Sequence, residues 1–243
     1  MGIDERRGQH EGSLPERLRI GADLIHAALL DLDGTLVDSN YQHALAWYRA
    51  FRAFDIVVPV WRVHRHIGMG GDQLVRSLTD DQVDKHLGDG LREAAEKEFA
   101  GLRDECAPLE GAHDLVAELK RRGLIVVLAS SSNEDDLEFF LDLLGVTEMV
   151  DGWTTKDDVA KSKPEADVIH AAMAKAGTEH AVMIGDSRWD IESAAKAGLP
   201  TVAVITGGWS KQELHDYGAV AVHDSLTSLC ENLDKAPGIP AAV

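Results

Sequence analysis

Asp31-Leu32-Asp33-Gly34-Thr35 closes an apolar run that extends from Leu24 to Leu32. In an extended strand, residues two apart share a face, so the carboxylates of Asp31 and Asp33 lie side by side. Like charges that close repel, and such a pair usually persists where chemistry uses it. A cation or an electrophilic phosphorus between the two would relieve the repulsion. The spacing therefore points to phosphoryl or related transfer at the carboxyl end of a buried strand.

Three more segments fall at or just after strand-like runs. Leu124 to Ala129 leads into Ser130-Ser131-Ser132-Asn133, and Ala181 to Ile184 leads into Gly185-Asp186-Ser187-Arg188-Trp189-Asp190. Lys161-Ser162-Lys163-Pro164 lies between them. In open parallel sheets, ligands bind outside the carboxyl edge. The four segments would bring to that edge two carboxylate pairs, hydroxyls with free backbone N–H groups, and a lysine. Each alone has an ordinary reading. Asp33-Gly34 suits a turn, the serines with Glu134 suit a helix cap, Lys163-Pro164 suits a helix start, and Asp186 or Asp190 suits an N-cap. Four in order at corresponding strand ends make coincidence improbable.

The elements that must position these groups follow from periodicity. Helix-like His113 to Arg122 stops at Gly123, and Glu134 to Leu144 stops at Gly145. Met149 to Trp153 suits a short strand, Pro164 to Ala176 a helix with proline in its first turn, and Trp189 to Ala197 another helix. Strands at Thr201 to Ile205 and Ala219 to Val222 and a helix at Ser225 to Leu233 complete the chain. Strands alternating with helices of about ten residues imply βαβ units and a parallel sheet. Ser39 to Cys106 breaks this rhythm: Leu45, Tyr48, Phe51 and Phe54 recur at helical spacing, and no strand is evident. An all-helical domain inserted after the first strand is expected, with hinges near Leu36 to Ser39 and Asp104 to Gly111.

Composition bounds the rest. The 243 residues suffice for one α/β domain plus an insertion, and 44% hydrophobic content supports a large core. Mean hydropathy is -0.16, and no stretch reaches the length of a membrane span. The polar first twenty residues lack the apolar centre of a signal peptide. Cys106 and Cys230 lack metal-ligand spacing, which fits a reducing, cytoplasmic setting. With 42 acidic against 24 basic residues, the formal charge is -18. Such a field repels nucleic acid and anionic membrane surfaces, so neither is expected as a partner. Oligomeric state is not encoded legibly; a monomer is compatible with the chain.

The four segments resemble the four motifs of the haloacid dehalogenase superfamily: DxDGT, a strand followed by serine or threonine, a lysine often followed by proline, and GDSxxD. The resemblance covers about Leu24 to Leu229, and the helical insert resembles the cap found after the first motif in many members. It implies an α/β, Rossmann-like three-layer core with a parallel sheet plus an inserted all-helical cap. Residues 1–22 would be a flexible tail, 23–38 with 108–243 the core, and 39–107 the cap. By the same resemblance Asp31 would be the nucleophile that becomes an aspartyl-phosphate, and Asp33 the acid and then base. Mg²⁺ would bind the Asp31 carboxylate, the Asp33 carbonyl and Asp186, with Asp190 a direct or outer ligand. Ser130, the Ser131 N–H, Lys163 and Gly34 would hold the phosphate of a small phosphorylated metabolite.

Within the superfamily, Asp33 argues against dehalogenases and against phosphonoacetaldehyde hydrolase, which lack the second aspartate. β-Phosphoglucomutase is the nearer rival, because Ser39, His43 and Trp47 match its cap-proximal residues. Its cap arginine would align near Gly70, and its acid before the fourth-motif aspartate is Gly185 here, so hydrolysis is favoured. A binding protein on the same scaffold is the non-enzymatic alternative. His43 and the glycines of Gly68-Met69-Gly70-Gly71, above all Gly70 and Gly71, are candidate specificity residues; a plain turn is the alternative for the glycines. His64 and His66 suit the surface, and Trp47, Tyr48, Phe51 and Phe54 the cap core. Arg188 and Trp189 would line the core side of the site unless Arg188 is simply solvated.

Overall fold

The computed structural model describes residues 25–236 and 239–240. The expected tail at 1–22 lies outside the described residues. The chain begins with β1 (Ala27–Leu30), a two-residue strand β2 (Val37–Asp38), and helices α1 (Asn40–Ala53), α2 (Val60–His64), α3 (Gly71–Leu78) and α4 (Asp81–Ala100). A second two-residue strand, β3 (Ala107–Pro108), is followed by α5 (Ala112–Arg121), β4 (Ile125–Ala129), α6 (Glu134–Leu144) and β5 (Gly152–Thr154). Then come α7 (Asp167–Ala176), β6 (Ala181–Gly185), α8 (Arg188–Lys196), β7 (Thr201–Val204), α9 (Lys211–Tyr217), β8 (Ala221–His223) and α10 (Leu226–Glu231).

Six strands form one parallel sheet in the order β5-β4-β1-β6-β7-β8. The alternation of a strand explains the layers on either side. Ala28 and Leu30 point into an apolar cluster with Leu115, Leu119, Phe140 and Leu229, from α5, α6 and α10. Ala27 and Leu29 point the other way, against Val168, Ile169 and Ala172 of α7 and Ala194 of α8. Both faces are covered, which is why these strands read as unbroken apolar runs. Each fully buried leucine of β1 contributes about 2 kcal/mol by transfer from water. The result is the three-layer α/β core.

Register places the chemistry. Leu30 pairs with Leu128 on one side and Ile184 on the other. The Asp31 N–H also donates to the Ile184 carbonyl at 2.9 Å. Asp31, Ala129 and Gly185 are thus level, and the motif residues emerge together at one sheet edge.

The insert is helical and has its own core: Ala44, Phe51, Val63, Leu74, Leu78 and Leu91, with Trp47 and Phe54 against it. Tyr48 is outside that core, and Leu45 packs on the sheet domain's cluster beside Ala46 and Phe99. The helical period therefore carries two stripes, one for each neighbour. At the base, β2 and β3 pair antiparallel, Val37 with Pro108 and Asp38 with Ala107, a ribbon too short to leave a strand signal. Helix α9 also escaped the periodicity, since its seven residues bury only Leu214. Helix α7 starts at Asp167 rather than Pro164. The Lys163-Pro164 peptide is cis, and a turn closes from the Glu165 N–H to the Ser162 carbonyl at 3.0 Å.

Candidate active site

The loop after β1 turns back at Gly34, whose φ of 76° suits glycine, and a Cβ there would strike Asn40 and Asp186. The Gly34 N–H donates to the Val37 carbonyl at 2.7 Å and its carbonyl accepts from Thr206 Oγ1 at 2.6 Å. With its N–H committed inside the turn, Gly34 shapes the loop after β1. It is a spacer that lets Asp186 approach Asp31.

Asp31 is buried at 5% exposure, and its Oδ1 accepts from Lys163 Nζ at 2.6 Å. The same ammonium donates to Asp190 Oδ1 at 2.7 Å. Asp190 Oδ2 in turn accepts from the Ser187 hydroxyl at 2.6 Å and the Ser187 N–H at 3.1 Å. Ser187, not either aspartate, is the N-cap of α8, and this leaves Asp190 bridging a helix start to the lysine. Asp186 accepts from Thr35 Oγ1 and Asn40 Nδ2, both at 3.0 Å. Neither partner was singled out in the sequence: Thr35 passes as part of the turn, and Asn40 as a helix-start residue.

Carboxylate oxygens of Asp31, Asp186 and Asp190 lie within 4.8 Å of one another, all buried, with the Lys163 ammonium donating to two of them. Burial, then Asp190, pushes the Asp31 carboxyl up to about 7 despite Lys163. Burial and the neighbouring Asp190 and Asp31 raise Asp186 well above the ordinary range. Burial alone would lower the Lys163 ammonium, but Asp190 and Asp31 outweigh it and hold its pKa up. Three hard oxygen donors facing one ammonium fit a small divalent cation.

Asp33 has different partners. It accepts from the Ser39 hydroxyl at 2.6 Å and the Ser132 hydroxyl at 3.2 Å, and pairs with His43 Nε2 at 3.0 Å. Burial pushes its carboxyl up, but His43 and the two hydroxyls win and leave it below the usual value. The His43 ring stacks on Phe99, centroids 3.7 Å apart, which fixes its position.

The serine run is not the cap of α6. Asn133 does that work, its Oδ1 accepting from the Asp136 N–H at 2.8 Å. Ser130 Oγ donates to Ser132 Oγ at 2.9 Å and accepts from the Ser132 N–H at 3.0 Å. The Ser131 hydroxyl is buried beside the cleft without a partner among the described residues, a polar group suited to an incoming oxyanion.

Core and insert enclose a cleft of about 390 Å³, within the range of small-molecule sites. Asp31, Asp33, Ser130, Ser131 and Lys163 line its core side, and His43, Gly70 and Gly71 its insert side. Gly70 packs so closely on Ser162 that a side chain there would collide. The adjacent Asp72 accepts from the Ser162 hydroxyl and from its N–H at 3.2 Å. Lys156 reaches Glu96 of α4 at 2.7 Å, and Arg92 of α4 also faces the cleft. Asp72, Arg92, Glu96 and Lys156 stand in no motif and look like solvated helix charge in the sequence. His64 and His66 are half-buried at the seam, stacked on Tyr41 and tilted on Trp189, not free on the surface. Arg188 and Trp189 do not line the cleft; Arg188 is held by Glu192 between the Trp189 and Tyr217 rings.

The model of the haloacid dehalogenase-like hydrolases matches residues 25–198. The chain belongs to that family. A validoxylamine A 7'-phosphate phosphatase of Streptomyces hygroscopicus subsp. limoneus is 29% identical over 82% of this chain and 91% of its own length. A phosphoglycolate phosphatase of Colwellia psychrerythraea is 29% identical over 85% of this chain and 96% of its own. The crystal structure of a hydrolase from Pseudomonas syringae superposes with a TM-score of 0.81 at 31% identity, covering 86% of this chain and 98% of that one. The acid cluster lies inside the matched segment, and the two relatives named here are phosphatases.

Proposed function

We propose that this hydrolase is a phosphatase, a magnesium-dependent phosphomonoesterase that cleaves a small phosphorylated metabolite through an aspartyl-phosphate on Asp31. The observation that carries the reading is the division of two neighbouring carboxylates between separate environments. Asp31 sits with Lys163, Asp186 and Asp190, whereas Asp33 sits with Ser39, His43 and Ser132. Carboxyl groups pushed apart in this way take separate roles in acid–base and nucleophilic chemistry.

Asp31 attacks phosphorus, a bond forms from its oxygen, and the bond from phosphorus to the leaving oxygen breaks. The dianionic phosphate raises the proton affinity of Asp33 by like-charge repulsion, so Asp33 takes up a proton from solvent as the ester binds and passes it to the departing alcohol. The ionised Asp33 next takes a proton from water, whose oxygen attacks phosphorus and frees Asp31 and inorganic phosphate. Ser130 and the Ser131 N–H hold phosphoryl oxygens, and Lys163 keeps a positive charge beside them throughout. Asp31 and Asp186, with Asp190 beside them, would hold Mg²⁺, which supplies the positive charge that lets a dianion enter an acidic site.

Hydrolysis is preferred over phosphomutase chemistry on two positions. Gly70 leaves no clamping arginine, and at Gly185 a side chain would run into the Asp190 carboxylate. We take residues 39–107 as a cap moving on the β2–β3 ribbon, and a reducing, cytoplasmic setting as the place of action. Among the described residues, no helix is long and apolar enough to cross a membrane, and Cys106 and Cys230 are free. The test is acid quenching during turnover of a radiolabelled phosphate ester. Label should appear on Asp31, be released by hydroxylamine, and vanish with Asp31→Asn or with chelator. Turnover without label on Asp31 would sink the mechanism.

A further inference from the structure

The phosphoryl end of the cleft is set by the core, so the remainder must receive the leaving group. Its cations are all engaged. Arg92 Nη1 donates to Asp84 Oδ1 at 2.8 Å and to the Gly71 carbonyl at 3.3 Å, and Arg92 Nη2 donates to Asp89 Oδ1 at 2.8 Å. Lys156 is paired with Glu96, and Lys163 belongs to the phosphoryl end. Of the lining carboxylates, Glu96 is spent on Lys156 and Asp136 on Arg103, which leaves Asp72 and Asp157 to add negative charge. A second anion on the leaving group would be desolvated against carboxylates with no free cation in the lining among the described residues, which is costly. Trp47, Ile67, Met69 and Ala95 supply an apolar stretch of wall. An apolar wall with carboxylate acceptors at its rim suits a carbon skeleton whose hydroxyls donate to those acceptors.

We infer that Asp84 and Asp89, by neutralising Arg92, set the leaving-group class: an uncharged, hydroxyl-bearing skeleton is taken and one with a second anion is rejected. This rests on the phosphomonoesterase reading above. Asp84 is the stronger partner, since its side chain is 14% exposed whereas Asp89 is fully exposed and screened by solvent. Both are positioning residues, because they act on substrate only through Arg92.

The experiment compares kcat/KM with Mg²⁺ for two sets of esters, with p-nitrophenyl phosphate alongside. One set is glucose 6-phosphate, fructose 6-phosphate and glycerol 3-phosphate; the other is 2-phosphoglycolate, 3-phosphoglycerate and pyrophosphate. The best of the first set should exceed the best of the second by about tenfold or more. Asp84→Asn with Asp89→Asn should move that ratio about tenfold toward the second set, a selectivity shift that simple loss of structure does not produce. Should the double variant fail to fold, Asp89→Asn alone must move the ratio the same way by a smaller factor. A wild-type preference for the second set, or a ratio unmoved by folded variants, overturns the inference while the hydrolase reading stands. Wild-type enzyme inert toward p-nitrophenyl phosphate and toward both sets overturns both.

Discussion

The two walls of the cleft are built on different electrostatic terms. On the core wall, Asp31, Lys163 and Asp190 are at most 5% exposed and bond to one another. On the cap wall, Glu96 is about half exposed, as is the core Lys156 that it pairs with, and Arg92 reaches a fully exposed Asp89. Charges shielded from water interact strongly and lose much when a partner goes. Exposed pairs are worth roughly 0 to 1 kcal/mol. Groups that must be strong and fixed thus sit on the sheet edge. Groups that need only bias the choice of leaving group sit on the helices, where small energies suffice.

The largest expected effect lies where the walls meet. Asp33→Asn should lower kcat by about 10²–10⁴-fold, because the amide neither donates nor receives the transferred proton. The loss should be greater for glycerol 3-phosphate than for p-nitrophenyl phosphate, whose leaving group departs without protonation. Equal losses for the two esters would remove Asp33 from the acid role.

Lys163→Met tests the core wall by stability. Leaving Asp31 and Asp190 buried without their cation should cost about 3 to 5 kcal/mol in urea unfolding at neutral pH. The cost should shrink as pH falls. Asp31 stands at about 7 in the folded protein against 3.8 for the free group. Between those values the folded state binds a proton that the unfolded state does not, and losing Lys163, which holds the carboxyl down, widens that gap, so the variant gains more stability than the parent as pH drops. A cost that is flat in pH would mean that the lysine packs there without being paired.

The sequence made the core wall legible because its groups are tied to strand ends. Asp31, Ser130, Lys163 and Asp186 follow apolar runs or breaks that periodicity locates, and parallel register brings the three at strand ends, Asp31, Ser130 and Asp186, to one edge. The cap wall gave no such signal. Asp72, Asp84, Arg92 and Glu96 lie on helices where charge is ordinary, and their meaning depends on how α3 and α4 face the core, which no local spacing encodes. Thr35 and Asn40 were hidden for a related reason: each has an everyday local role that conceals a bond to Asp186 across more than a hundred residues. The β2–β3 ribbon was too short to show a period at all.

The smallest effect separates the walls most cleanly. Asp72 lies at the start of α3 and crosses the cleft to Ser162, the residue before Lys163. Asp72→Ala removes one cap-to-core bridge without touching the buried carboxylates. Because Asp72 is exposed, stability should change by less than about 1 kcal/mol. KM should rise by about threefold to tenfold with kcat changed by less than about threefold, the mark of lost ground-state binding. If kcat instead fell as far as in Asp33→Asn, the bridge would be orienting Lys163 through Ser162. The chemistry would then extend onto the cap, and the division between a wall that reacts and a wall that selects would fail.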